Sequence, residues 1–197
     1  MEITIITTVK GVIINNAAGL SLKKSLAKKK YKSRLGKLWK NFRGKPVKVK
    51  VLNIEEIRGI NTVNDQKIAA QGYCFGGAVV LNMARMGVDL DGVVSYHGAL
   101  GSPLQAEPGK VKARVQVYTG GADQMVPSDQ VAGLVKEMQD AEVDLTLVTF
   151  PGVLHSFTNP GADRVAEEFG MPIGYDEAAA KRSWDGTMAF YNEIFDL

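Results

Sequence analysis

Cys74 is the sole cysteine of the chain, and it stands in Gly72-Tyr73-Cys74-Phe75-Gly76-Gly77, between an apolar run and a helical pattern. A thiol framed by glycines on a tight turn suits a nucleophile. The glycines let a strand and a helix approach without side-chain clashes, and the turn lifts the sulfur into a pocket. The helix that follows aims its first amides at the sulfur, which stabilises a thiolate and lowers the thiol pKa. The Phe75 N–H is also placed to stabilise an oxyanion on an attacked carbonyl. The plainer alternative is a small buried hydrophobe, a common fate of a free cysteine.

A thiol nucleophile needs a base, and the base needs an orienting acid. The chain has two histidines. His155 lies in FPGVLHSFTNP, a loop whose glycine and prolines fit a segment that folds back over a pocket. Asp123 lies in YTGGADQMVP, a glycine-rich exit from an apolar run, and would fix the imidazole tautomer. Its alternative is an ordinary turn aspartate that caps its own loop. The order nucleophile, acid, histidine, with gaps of 49 and 32 residues, is that of α/β hydrolases. In this scheme His155 acts first as base and later as general acid, and activity is expected to rise as His155 loses its proton. His97, in SYHGALG, is the rival base; its alternatives are a pocket wall or a satisfied structural histidine.

These residues need elements to hold them. KIAA (67–70) reads as a short strand and GGAVVLNMARM (76–86) as a helix, ended at Gly87 by a left-handed cap. GVVSYH (92–97) and ARVQVYTG (113–120) read as strands. Ser128 reads as the cap of a helix running to about Ala141, with Val131, Leu134, Val135 and Met138 on one face. DLTLVTF (144–150) reads as a strand and 176–195 as a closing helix containing one glycine. Strands alternating with helices imply parallel crossovers, hence a mostly parallel sheet flanked by helices. Ligands in such sheets sit beyond the carboxyl ends of the strands, where Cys74, Asp123 and His155 all fall. Upstream, GVIIN (11–15) reads as a buried strand and PVKVKVLN (46–53) as a half-buried one.

The 197 residues suit one core and thus one domain. A single cysteine excludes an internal disulfide, and no signal peptide or membrane span is read, so cytoplasm is the expected compartment. Charge is segregated. Of 24 Lys and Arg, 13 fall between residues 23 and 50, where no acid stands, while the other 11 face 21 acids. Tyr31, Trp39 and Phe42 interleave with those cations, a composition that suits nucleic acid or an anionic membrane surface. The same segment suits a solvated basic helix that packs Leu35, Leu38, Trp39 and Phe42 on the core.

Across KIAAQGYCFGGAVVLNMAR, GVVSYHGAL, VQVYTGGADQMVP, FPGVLHSFTNPGADR and YDEAAAKRSWDGTMAFYNEIF the sequence resembles the dienelactone hydrolase family, cysteine hydrolases of α/β-hydrolase fold. The likeness covers roughly residues 65–197, with 1–64 atypical. It implies a triad of Cys74, Asp123 and His155, a small-molecule ester or lactone substrate, and a thioester acyl-enzyme, with no metal or organic cofactor. Asn15 and Asn16 stand where the family has His and Glu, and the second oxyanion donor is sought near Ala17. Asn159 stands where dienelactone enzymes place an arginine for the substrate carboxylate, which argues against dienelactone itself; Arg164 is the nearest substitute. Residues 21–45 match nothing in the family. A truncated or rearranged gene or a shifted reading frame would produce such a break, leaving upstream strands incomplete.

Overall fold

The computed structural model describes residues 3–9, 12–14 and 67–196. Along the chain these form β1 (Ile3–Val9), β2 (Val12–Ile14), β3 (Ile68–Tyr73), α1 (Phe75–Arg85), β4 (Gly92–Tyr96) and β5 (Arg114–Gly120). Then follow α2 (Ser128–Asp140), β6 (Leu145–Phe150), α3 (Ala162–Phe169) and α4 (Glu177–Phe195). The strands make one sheet in the order β2-β1-β3-β4-β5-β6. β3 to β6 are parallel, whereas β1 runs antiparallel to both β2 and β3.

β3 and β4 are buried almost throughout, as parallel strands covered on both faces must be. Successive side chains point to opposite faces, so the sheet carries two cores. On one face Ile68, Ala70, Val93, Val115 and Val117 pack with Val80, Leu81 and Ala84 of α1 and Leu134 and Met138 of α2. On the other, Ala69, Val94, Tyr96 and Tyr118 pack with Phe190, Tyr191 and Phe195 of α4. Each large side chain fully withdrawn from water contributes about 1.5–3 kcal/mol.

The second face is built around aromatic rings. Tyr96 and Tyr118 stack at 5.3 Å between centroids, and Tyr118 stacks on Phe150 at 6.2 Å. Their hydroxyls find partners on α4 and on β5 itself. The Tyr96 hydroxyl lies 2.6 Å from Thr187 Oγ1, and Gln116 Nε2 donates to the Tyr118 hydroxyl. This explains the single glycine of α4: a Cβ at Gly186 would run into the Tyr118 hydroxyl.

The crossover from β4 to β5, residues 97–113, contains no helix. Its backbone groups are satisfied from a buried ion pair between α1 and α2. Arg85 Nε and Nη2 each lie 2.8 Å from the Glu137 carboxylate, and Arg85 Nη2 also donates to the Leu100 carbonyl at 2.7 Å. Glu137 Oε1 accepts in addition from the Ala106 N–H at 2.7 Å. Gln130 Oε1 takes the N–H groups of Leu100 and Gly101.

Several expectations shift. β1 runs through ITIITTV, whose β-branched content carries the strand signal. Within GVIIN, Val12–Ile14 form β2, at the edge of the described sheet. Ser128 is not the cap of α2: Pro127 is, in extended conformation, and no side chain closes the helix start. A Pro at this position delivers the chain at a fixed φ, so the hydroxyl is not needed. α3 escapes a periodicity reading because it spans eight residues and buries only Ala162. PVKVKVLN and the basic segment lie outside the described residues.

Candidate functional site

Cys74 follows β3 directly and caps α1. Its main chain sits at φ 54° and ψ −123°, a strained conformation that tight functional turns hold by surrounding packing. Gly72 makes the turn possible, because a Cβ there would collide with the Gly76 carbonyl. A Cβ on Gly77 would come within 2.6 Å of Ser95 Oγ. The result is an exposed thiol at the N-terminus of α1.

Asp123 and His155 arrive on the loops after β5 and β6. Those loops are laced together, with Gly121 N donating to the Phe150 carbonyl at 2.7 Å and Ala122 N to the Val153 carbonyl at 3.0 Å. The His155 carbonyl accepts from Gly174 N at 3.0 Å, and His155 bridges to Ile173 in parallel, so the segment leading into α4 pins the histidine from behind.

The three side chains converge. His155 Nδ1 lies 2.8 Å from Asp123 Oδ2, and His155 Nε2 lies 3.2 Å from Cys74 Sγ. The other Asp123 oxygen accepts from Met125 N at 2.8 Å, which fixes the carboxylate plane. The Asp123 side chain is fully buried and that of His155 nearly so.

The electrostatics favour a charged pair. The hydrogen bond with His155 lowers the Cys74 pKa; burial opposes this, and the His155 charge and the Phe75 N–H add to the lowering. Burial of the His155 ring works against its protonation. The hydrogen bonds to Asp123 and Cys74 and their charges outweigh that and raise its pKa to about 9. The two shifts run toward the same state, a protonated imidazole beside a thiol that ionises more readily than usual. The raised His155 pKa favours the protonated imidazole over the neutral base expected from the sequence. A thiolate beside an imidazolium, with amides at its back, can attack an electrophilic carbon and protonate a leaving group.

His97 is not bonded to the sulfur. It lies in the wall, edge-on to His155 at 4.9 Å. The pocket in front of Cys74 has a volume of about 680 Å³ and is lined among others by Tyr73, Tyr96, His97, Thr158, Asn159 and Trp184. Asn159 thus reaches the pocket, although its Oδ1 also accepts from Gly161 N at 2.9 Å. Arg164 is not among the residues that line this pocket. It is exposed on α3 and pairs with Glu168 at 3.5 Å. The Phe75 side chain is exposed, and its N–H bonds toward the Cys74 sulfur. Asn15, Asn16 and Ala17 lie outside the described residues. Thr158 and Trp184 escaped the sequence reading; the polar run after His155 was the one signal for the former.

A model of the dienelactone hydrolase family matches residues 15–195. The chain belongs to the dienelactone hydrolase family. This dienelactone hydrolase relative is 33% identical over 145 residues to an uncharacterized protein of Caenorhabditis elegans, covering 72% of this chain and 89% of that one. It is similar to the crystal structure of a dienelactone hydrolase-like promiscuous phosphotriesterase from metagenomic libraries, with 28% identity and a TM-score of 0.64. That match covers 72% of this chain and 58% of the other. A second solved structure, m3DLH, shares 29% identity at a TM-score of 0.66, over 72% of this chain and 57% of its own length. The likeness extends to the α/β-hydrolase layering described above. Among the described residues, no helix of this family member is long and apolar enough to cross a membrane.

Proposed function

We propose that the protein is a cysteine hydrolase of carboxylic esters or lactones that works through a thioester acyl-enzyme. The observation that carries this is the chain of contacts from Asp123 through His155 to Cys74, with 2.8 and 3.2 Å steps, on a helix N-terminus facing a pocket. The Cys74 thiolate attacks the ester carbonyl carbon, and the carbonyl electron pair moves to oxygen, where the Phe75 N–H meets it. As the tetrahedral centre collapses, the C–O bond breaks and His155 gives its proton to the departing alkoxide. Water then attacks the thioester while His155 takes one of its protons. Collapse releases the carboxylic acid and returns the thiolate. Asp123 holds the imidazole in the one orientation that serves both halves.

Asn159 in place of an arginine supports a substrate other than a carboxylate-bearing dienelactone. A reducing compartment, the cytoplasm, suits a free thiol in this role. The test is turnover of p-nitrophenyl acetate. Replacing Cys74→Ala should lower kcat/KM by about a thousandfold or more, and a brief reaction of the wild type should leave a thioester on Cys74 in the mass spectrum. Wild-type turnover by the alanine variant would remove the proposal. The segregated charge of residues 23–50 favours a second reading, a catalytically silent relative that binds a partner, nucleic acid or an anionic membrane. It predicts no acyl adduct and slow alkylation of Cys74.

A further inference from the structure

His97 stands one residue past β4 with φ 39°, in the left-handed region that non-glycine residues seldom adopt. Its N–H donates to the Tyr118 carbonyl at 2.8 Å, so the main chain stays in the sheet while the side chain turns toward the site. The ring is buried and stands edge-on to both His155, at 4.9 Å, and Phe157, at 5.1 Å.

Both ring nitrogens are engaged. The Cys74 N–H is shared between the Tyr96 carbonyl at 3.0 Å and His97 Nδ1 at 3.2 Å, and as an acceptor Nδ1 carries no proton. The hydrogen of the neutral ring is then on Nε2, which lies 2.9 Å from Thr158 Oγ1 and donates to it. Thr158 follows His155 by three positions in the same loop. One end of the ring therefore holds the main chain of Cys74, and the other holds the loop that carries its partner.

We infer that His97 is a positioning residue: as the neutral Nε2–H tautomer it braces the Cys74 turn against the His155 loop and so sets the sulfur-to-imidazole distance. This rests on the proposed roles of Cys74 and His155. Burial, with the nearby charge of His155, outweighs the attraction of Asp123 and holds the His97 pKa down to about 3, which keeps the bracing tautomer in place. Among the described residues, the titratable groups that face the ring are His155, Asp123, Cys74 and Tyr73. A second imidazolium here would repel the first and lose the ring's share of the Cys74 N–H, leaving that group to the Tyr96 carbonyl alone.

The experiment follows iodoacetamide alkylation of Cys74 against pH, together with kcat and KM for p-nitrophenyl acetate. It uses the wild type, His97→Asn, Thr158→Val, the double variant, and Cys74→Ala as the blank. The asparagine oxygen can still accept near the Nδ1 position but does not reach Thr158, so both single changes cut the same link. Each should raise the alkylation midpoint and lower kcat about tenfold with KM little changed, as loss of positioning does. The double variant should be no worse than either single. Unchanged midpoints, or losses that add in the double variant, would overturn the inference. If His97→Asn does not melt cooperatively, Thr158→Val decides alone by the same shift or its absence. An ordinary thiol midpoint in the wild type would instead overturn the Cys74–His155 pairing itself.

Discussion

Tyr73 and Tyr96 lie opposite each other in the parallel register of β3 and β4, and their rings stack at 4.5 Å with planes 9° from parallel. Each is followed directly by a residue of the site, Cys74 after one and His97 after the other. The stack therefore sets how the two strand ends sit relative to each other, and with them the turn and the ring that braces it. Stacked pairs of this kind contribute about 0.5–1.5 kcal/mol beyond the area they bury.

Tyr96→Phe keeps the stack and removes only the hydroxyl bonded to Thr187, whose own hydroxyl still donates to the Ser183 carbonyl. The expected loss is about 1 kcal/mol. Tyr96→Ala removes the ring from a fully buried position and should cost about 3–5 kcal/mol. Chemical denaturation of the two variants checks both values.

The pH profile of kcat/KM should be a bell. The acid limb follows Cys74, whose lowered pKa brings the thiolate in below the pH at which an ordinary thiol ionises. The alkaline limb follows the loss of the His155 proton near pH 9. Stability carries the same signature. The His155 pKa is raised from 6.5 to about 9, so its contribution is complete below about 6.5 and disappears as pH rises through about 9. Melting temperatures of wild type and His155→Asn should therefore converge on the alkaline side. A gap that widens there would contradict the assignment.

Removing one half of the buried pair beneath the β4–β5 crossover should be costly. The Arg85 and Glu137 side chains are 1% and 7% exposed. Glu137→Ala strands the guanidinium and frees the Ala106 N–H, and should destabilise by about 3–5 kcal/mol. The loop over residues 97–113 should then become sensitive to protease before the sheet does.

Gly186→Ala opposes two effects. Alanine favours a helix interior over glycine by about 1 kcal/mol, but its Cβ would press on the Tyr118 hydroxyl. Overpacking in a filled core costs about 1–3 kcal/mol, so the melting temperature should fall rather than rise. A stabilised variant would show that α4 can shift outward at no cost.

Much of this architecture is local and so could be read along the chain. Glycines around Cys74 specify a turn, Gly87 ends α1 with its φ of 72°, and apolar alternation marks the strands. Strand ends mark where side chains can meet a ligand, and that placed Cys74, Asp123 and His155 on one edge. The antiparallel course of β1, the eight residues of α3 and the Pro127 start of α2 were not legible. They depend on which neighbour a segment meets rather than on its own pattern.

The site divides in the same way. Residue types and order along the sequence determined which side chains could do the chemistry. Only the tertiary structure decided how they are paired and which way the Cys74 and His155 pKa values move. His155 reaches Cys74 across 81 positions, and His97 reaches Thr158 across 61. A pKa or a tautomer is set by burial and by partners within hydrogen-bond reach, and those exist only once distant strands have paired.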